Sequence, residues 1–379
     1  MTTRTYRLVS ADGHINEPPD LWTARLASRW GDRIPHMEDF AEGQAWILEG
    51  APEPINFGRN CCAGKAQHAT SPWCRWEETP AGAKDPLARL TEQDADGVDA
   101  EVLYPTPRIF RSVVSNQDTA FHTAMMQAYN DWLVGYCGQA PDRLLGAVAV
   151  PNRGVAAAVA EVEKYADAPG AGGFLFGLWP NGTMDLSPDD DPVFAAIEAS
   201  GKPLCIHVQL HDDPPPGSHK VTLREGVTRI THVTGHMEEL IYGGVMRRFP
   251  NLNVVFAEVD AGWVPYFREQ ADNRWRRNSP AARAARGMLE PPSTFLDRMH
   301  FTYITDRYAV HNIERVGVDN LMWSSDYPHG GSDYPHSWRT IESDFYGIDP
   351  EIKQKVLADN ACRVFGLGAY AKTAVGAAG

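Results

Sequence analysis

The chain has 379 residues, of which 43% are hydrophobic, with six cysteines and a net charge of −14 at pH 7. That length and apolar content suffice for one large-cored domain spanning 1–379, and the acidic balance, with no Lys- or Arg-rich run, argues against a nucleic-acid partner. The absence of any stretch of about 18 apolar residues argues against a membrane span, and the polar start Met-Thr-Thr-Arg against a signal peptide, so the expected location is cytoplasmic.

In chain order, the first strand is expected at 6–10, inside the run RLVSADGH that ends in Asp12 and His14. The segment 36–84 carries scattered Gly and Pro, the pair Cys61-Cys62, and Trp46, Trp73 and Trp76. It reads as a cap or hairpin excursion over a site, because long irregular loops in compact domains are usually functional or disordered and its aromatic content opposes disorder. Further strands are expected at 98–104, 144–150, 172–178, 205–208, 254–258, 300–305 and 321–325, with helical patterns at 116–137, 154–166, 191–200, 225–249 and 351–365. The Pro-rich loop 211–219 follows His207 and is expected to border a pocket mouth, and the Ala/Gly tail 371–379 to fray. Eight strands alternating with helices predict a (β/α)8 TIM barrel with an excursion between its first two strands. A doubly wound sheet is the alternative, but no GxGxxG or GxxxxGK sequence follows any strand. The cysteines at 61, 62, 74, 137, 205 and 362 show no CxxC pattern, so reduced thiols are expected, with Cys61, Cys62 and Cys74 a lesser candidate for a structural metal.

Four of the apolar runs end in ionisable residues. Asp12 and His14 alternate and so share one side of an extended strand, His207 ends PLCIH, Glu258 ends NVVFAE, and Asp326 follows LMWSS, with His329 three residues further on. Carboxylates are rarely buried unless paired or metal-bound, so strand ends carrying Asp, His and Glu point to one shared polar centre at the C-terminal face of the barrel. The second Asp-Tyr-Pro-His copy, at 333–336, has a Gly-Gly-Ser lead-in and reads as loop. His232 and His236 lie four apart on a helical stretch without the Glu of an HExxH motif, which leaves His236 as a pocket-lining candidate. Trp22 and Trp263 could wall an apolar or aromatic substrate, or simply belong to the core.

These motifs resemble the amidohydrolase-related (amidohydrolase 2) family of metal-dependent TIM-barrel enzymes, which includes aminocarboxymuconate-semialdehyde decarboxylase and aromatic-acid decarboxylases. The resemblance runs from SADGHINEPPDLW through DP at 85–86, RFPNL at 248–252 and SDYPH at 325–329 to the Asn360-Ala pair. It implies a metal held by Asp12, His14, His207 and Asp326, and homo-oligomers. The mixed oxygen and nitrogen donors suit one zinc or manganese ion. Decarboxylases of this group usually carry a His in an Ala-His-Gly-Gly sequence after the sixth strand, whereas this chain reads AEVDAG with Glu258.

The leading expectation is a metal-dependent hydrolase in which metal-activated water attacks a small cyclic or aromatic substrate and Glu258 serves as acid or base. Glu258 as a fifth ligand, or as a group orienting a ligand His, stays open. His329 is expected to hydrogen-bond substrate or Asp326. The alternative is non-oxidative decarboxylation of an aromatic or unsaturated carboxylic acid, its carboxylate held by Arg108, Arg111 or Arg307. A third reading is an inactive barrel retained as a binding protein.

Overall fold

The computed structural model describes residues 4–208, 210, 229–285 and 287–368, so the expected loop 211–219 and tail 371–379 lie outside the described residues. The strands among the described residues are β1 (Val9–His14), β2 (His36–Asp39), β3 (Gln44–Ile47), β4 (Ile55–Asn56), β5 (Ala100–Tyr104), β6 (Leu144–Ala149), β7 (Ala171–Phe176), β8 (Leu204–His207), β9 (Val254–Ala257), β10 (Met299–Tyr303) and β11 (Leu321–Trp323). Eight of them pair in the order β1-β5-β6-β7-β8-β9-β10-β11, every pair parallel, and form the sheet of a TIM barrel. Every residue of these eight strands is buried. A parallel sheet covered by helices has no solvent face, which explains why the strands read as apolar runs rather than alternations.

No strand ladder among the described residues joins β11 back to β1. The ring is instead closed by single contacts: the Asp326 N–H donates to the Asp12 carbonyl at 3.0 Å, the His14 N–H to the Tyr327 carbonyl at 2.7 Å, and the Ser10 and Ser325 hydroxyls meet at 3.0 Å. Beneath this seam lies a buried ion pair. Arg89 donates through Nε to Glu101 Oε2 at 2.7 Å and through Nη2 to the Tyr327 carbonyl at 3.1 Å, and its guanidinium lies over the Tyr327 ring. Gly13 makes room for it, since a Cβ there would come within 3.3 Å of Glu101 Oε1 and 3.5 Å of Arg89 Nη2.

Local chemistry sets the helix limits. Asp85 caps Pro86–Asp96 by accepting the Leu87 N–H, and Asp118 caps Thr119–Cys137 by accepting the Ala120 and Phe121 N–H groups. Gly97, at φ 74°, ends the former in the left-handed conformation. The expected helix 116–137 therefore starts at Thr119, after a separate helix Pro107–Ser115. The first four positions of the expected helix 225–249 lie outside the described residues; the rest is Arg229–Tyr242 followed by Val245–Arg248, broken at Gly244. The first strand begins at Val9 rather than at residue 6 and runs through His14, with a register shift between Ser10 and Gly13. The helices outside the expected set include Pro86–Asp96, whose buried residues are the polar Arg89, Gln93 and Asp96, and Val264–Arg277, which buries only Val264, Phe267 and Ala271.

Within 36–84, β2, β3 and β4 form an antiparallel sheet followed by short 3-10 turns. All six cysteines are free and buried, and Cys61 and Cys74 face each other with Sγ atoms 3.2 Å apart. No helix of the described residues is long and apolar enough to cross a membrane.

Candidate metal centre

The C-terminal ends of the barrel strands bring the ionisable side chains together. Asp12 and His14, both fully buried, project from β1; His207 ends β8; Glu258 follows β9; Asp326 follows β11. The backbone at these ends is forced. Val208, Glu258, Asp260 and Asp326 take φ of 59°, 58°, 55° and 52°, and they are the non-glycine residues with positive φ among those described. Such conformations cost on the order of 1–3 kcal/mol each and persist where the surroundings dictate them, here to turn each chain segment sharply as it leaves its strand. Glu258 is held in part by its own N–H, which donates to Thr302 Oγ1 at 2.7 Å.

Asp12, His14, His207 and Glu258 each offer a ligand atom such that all four lie within 4.8 Å of one another, and a second set, His14, Asp326 and His329, shares His14 with the first. His14 Nε2 and His207 Nε2 face each other at 3.1 Å. From Asp12 Oδ1 to these nitrogens is 3.7 and 3.6 Å, from Glu258 Oε2 to His207 Nε2 is 3.6 Å, and from Asp326 Oδ1 to His14 Nε2 is 3.4 Å. Ligand bonds of about 2.1 Å in a tetrahedral cage put neighbouring donors about 3.4 Å apart, so these separations match the edges of a cage around one divalent ion. Both Asp12 oxygens are buried without a hydrogen-bond partner, which is costly for a carboxylate with nothing to bind.

The protonation chemistry agrees. Burial raises the pKa of Asp12, against the pull of His207. Burial, then the neighbouring His329 and His207, hold His14 well below the ordinary histidine value, so it is neutral. Its Nδ1 lies 2.9 Å from the Pro105 carbonyl, which can only accept; the proton therefore sits on Nδ1 and the Nε2 lone pair faces the cage. His207 is raised: burial opposes its charge, but Asp12 and Glu258 outweigh that. His329 behaves likewise, burial being overcome by Asp326 and Glu258. His329 Nδ1 is 2.8 Å from Asp326 Oδ1, its ring stacks on His14, and its Nε2 meets Asn60 Nδ2 at 3.1 Å, so the 36–84 excursion touches the centre.

The other residues singled out in the sequence stand apart from the cage. Trp22 is buried, donates to the Met125 carbonyl at 3.0 Å and packs edge-on against Trp46. Trp263 donates to the Val259 carbonyl and packs on Phe301. His236 accepts the Leu210 N–H at 3.2 Å and meets Glu239, which fixes the chain just beyond His207. Arg111 is half-buried on the helix Pro107–Ser115. Arg108 is exposed and bonds Asn56 and Glu53, and Arg307 is exposed at the start of Arg307–His311. Asn60 and Glu101 escaped the sequence reading, because their partners lie 269 and 12 positions away.

A parallel (β/α)8 barrel with Asp, His and Glu side chains gathered at its C-terminal strand ends has the layout of a TIM-barrel enzyme, whose active site lies at that face. The chain belongs to the Amidohydrolase family, whose match spans residues 12–367. It is 23% identical over 293 residues to a gamma-resorcylate decarboxylase of Rhizobium sp. strain MTP-10005, covering 74% of this chain and 86% of that protein. Among solved structures, an amidohydrolase from Mycobacterium avium subsp. paratuberculosis superposes with TM-score 0.75 at 21% identity, covering 96% of this chain and 100% of that one. A 5-carboxyvanillate decarboxylase from Novosphingobium aromaticivorans, solved with manganese and 3-methoxy-4-hydroxy-5-nitrobenzoic acid, gives 0.67 at 17% identity, covering 96% and 97%.

Proposed function

We propose that the protein is a metal-dependent carboxy-lyase that removes the carboxyl group of a small aromatic acid. One divalent ion, manganese or zinc, would be held by Asp12, His14 and His207, with Asp326 and Glu258 closing the cage from either side. When bound, the ion supplies a Lewis acid that anchors the substrate carboxylate and a neighbouring oxygen. His329 is the acid: Asp326 holds its Nδ1 side at 2.8 Å and orients the ring, and the Asn60 side-chain amide, turned with its oxygen towards Nε2, can accept the second proton. The carbon–carboxyl bond breaks with its electron pair left on the ring carbon, that carbon takes the proton from His329, and carbon dioxide leaves. The observation that carries this reading is a His329–Asp326 pair joined at 2.8 Å, with the His329 ring stacked directly on cage residue His14, in a chain whose relative is a resorcylate decarboxylase.

The sequence favoured hydrolysis instead, and Glu258 keeps that as the second reading. A carboxylate 3.6 Å from His207 is suited to take a proton from water at the cage. The test is to load the purified protein with manganese and supply hydroxylated benzoic acids in one series and aryl esters and amides in the other. Carbon dioxide release from the acids supports the lyase; ester or amide cleavage without it would replace that reading with hydrolysis.

A further inference from the structure

Behind His14 lies a chain of groups with no part in the chemistry above. Glu17 is 2% exposed on the segment leaving β1, and burial pushes its pKa up to about 7. Its Oε1 accepts the Thr106 N–H at 2.9 Å, while Oε2 is buried without a partner. It lines a small apolar cavity with Trp22, Pro105, Phe110 and Tyr129. The Thr106 N–H and the Pro105 carbonyl belong to one peptide unit, and that carbonyl takes the Nδ1 proton of His14 at 2.9 Å. Glu17 thus pulls on one end of a peptide dipole whose other end grips a cage residue.

We infer that Glu17 is a positioning residue that orients His14, and strengthens its Nε2 as a donor, through the Pro105–Thr106 peptide. A histidine bound to a metal almost always gives its other ring proton to an acceptor that fixes the ring and raises its basicity. Here that acceptor is a carbonyl, and a carbonyl accepts more strongly when its own N–H is engaged, because hydrogen bonds in series polarise one another. The inference rests on His14 being a ligand, as proposed above. Glu17 does not touch the cage; its effect reaches the metal only through the peptide.

Two variants remove the relay at different points. Glu17→Leu fills an apolar cavity and deletes the acceptor. Thr106→Pro removes the N–H donor and the hydroxyl and sets a ring carbon where that N–H pointed, which displaces the Glu17 carboxylate, while the native φ of −59° at Thr106 suits a proline ring. The first readout is the His14 Nδ1–H proton resonance of histidine-labelled, metal-free protein, which a merely structural role of Glu17 would not move. The second is manganese affinity measured by competition with a chelating dye. Both variants should shift the resonance upfield and weaken manganese binding about 10-fold, and Glu17→Gln, which retains an acceptor, should restore most of both. A folded Glu17→Leu or Thr106→Pro protein with the wild-type resonance overturns the relay. Failure of the wild type to bind manganese while the resonance still shifts leaves the relay standing and removes the metal reading instead.

Discussion

Replacing Arg89 by Met tests how the barrel is held shut. Arg89 and Glu101 are 1% and 2% exposed, bonded at 2.7 and 3.2 Å, and Gln93 Nε2 adds a bond to Glu101 Oε2 at 2.8 Å. Removing the guanidinium leaves a buried carboxylate with one neutral donor, a change that typically costs about 3–5 kcal/mol. Glu101→Leu should cost a similar amount by stranding the Arg89 cation. The double variant Arg89→Met/Glu101→Leu strands neither charge, so its loss should be smaller than that of either single change, with a coupling energy of roughly 3 kcal/mol or more. Urea unfolding of the four proteins, followed by circular dichroism and tryptophan fluorescence, measures each term. Losses that simply add in the double variant would refute the claim that the pair is a desolvated unit, and would recast Arg89 as a side chain valued only for its bond to the Tyr327 carbonyl.

Elemental analysis of the wild type should find about one manganese or zinc per chain, lost in Asp12→Asn and in His207→Ala. Glu258→Gln should fold normally yet bind manganese at least about 10-fold more weakly in the same dye competition; an unchanged affinity would remove Glu258 from the cage. His122 supplies a pH test. Its Nε2 accepts the Asn152 N–H at 3.1 Å, its Nδ1 bonds the Val113 carbonyl at 2.8 Å, and burial lowers its pKa to about 4. The unfolded chain therefore binds the proton first as pH falls below about 6.5, so the stability His122 contributes is full above that value and lost as pH drops towards 4, roughly 3 kcal/mol in all. Unfolding midpoints at pH 7 and pH 4.5 should converge in His122→Gln relative to wild type.

The barrel was legible because strands buried on both faces leave short apolar runs, and because a polar residue at the end of such a run is conspicuous. Asp12, His14, His207, Glu258 and Asp326 all stood out in this way. Boundaries were harder. The first strand was expected at 6–10, yet it runs from Val9 through Asp12-Gly-His14 to its end at His14. In the last helix a π segment, Lys355–Asp359, interrupts an otherwise regular period without a Gly or Pro to mark it. Trp22 and Trp263 were conspicuous as aromatics, but their indole N–H groups are spent on backbone carbonyls in the scaffold. What supports the cage was invisible, because the contacts of Glu17 with the Thr106 N–H and of Asn60 with His329 form only on folding.

The unladdered gap between β11 and β1 makes the cage a clasp. Ser10 and Ser325, which meet there, are 315 positions apart, and closing a loop that long costs about 2.4 kcal/mol more than closing one of 20 residues. Asp12 and His14 stand on one lip of the gap and Asp326 on the other, so an ion gripping both lips ties the first strand to the last. Loading of the ion would then reinforce the hydrogen bonds that already close the ring at this seam. Amide exchange in β1 and β11 should slow together when manganese is added, while the strands opposite, β7 and β8, keep their rates.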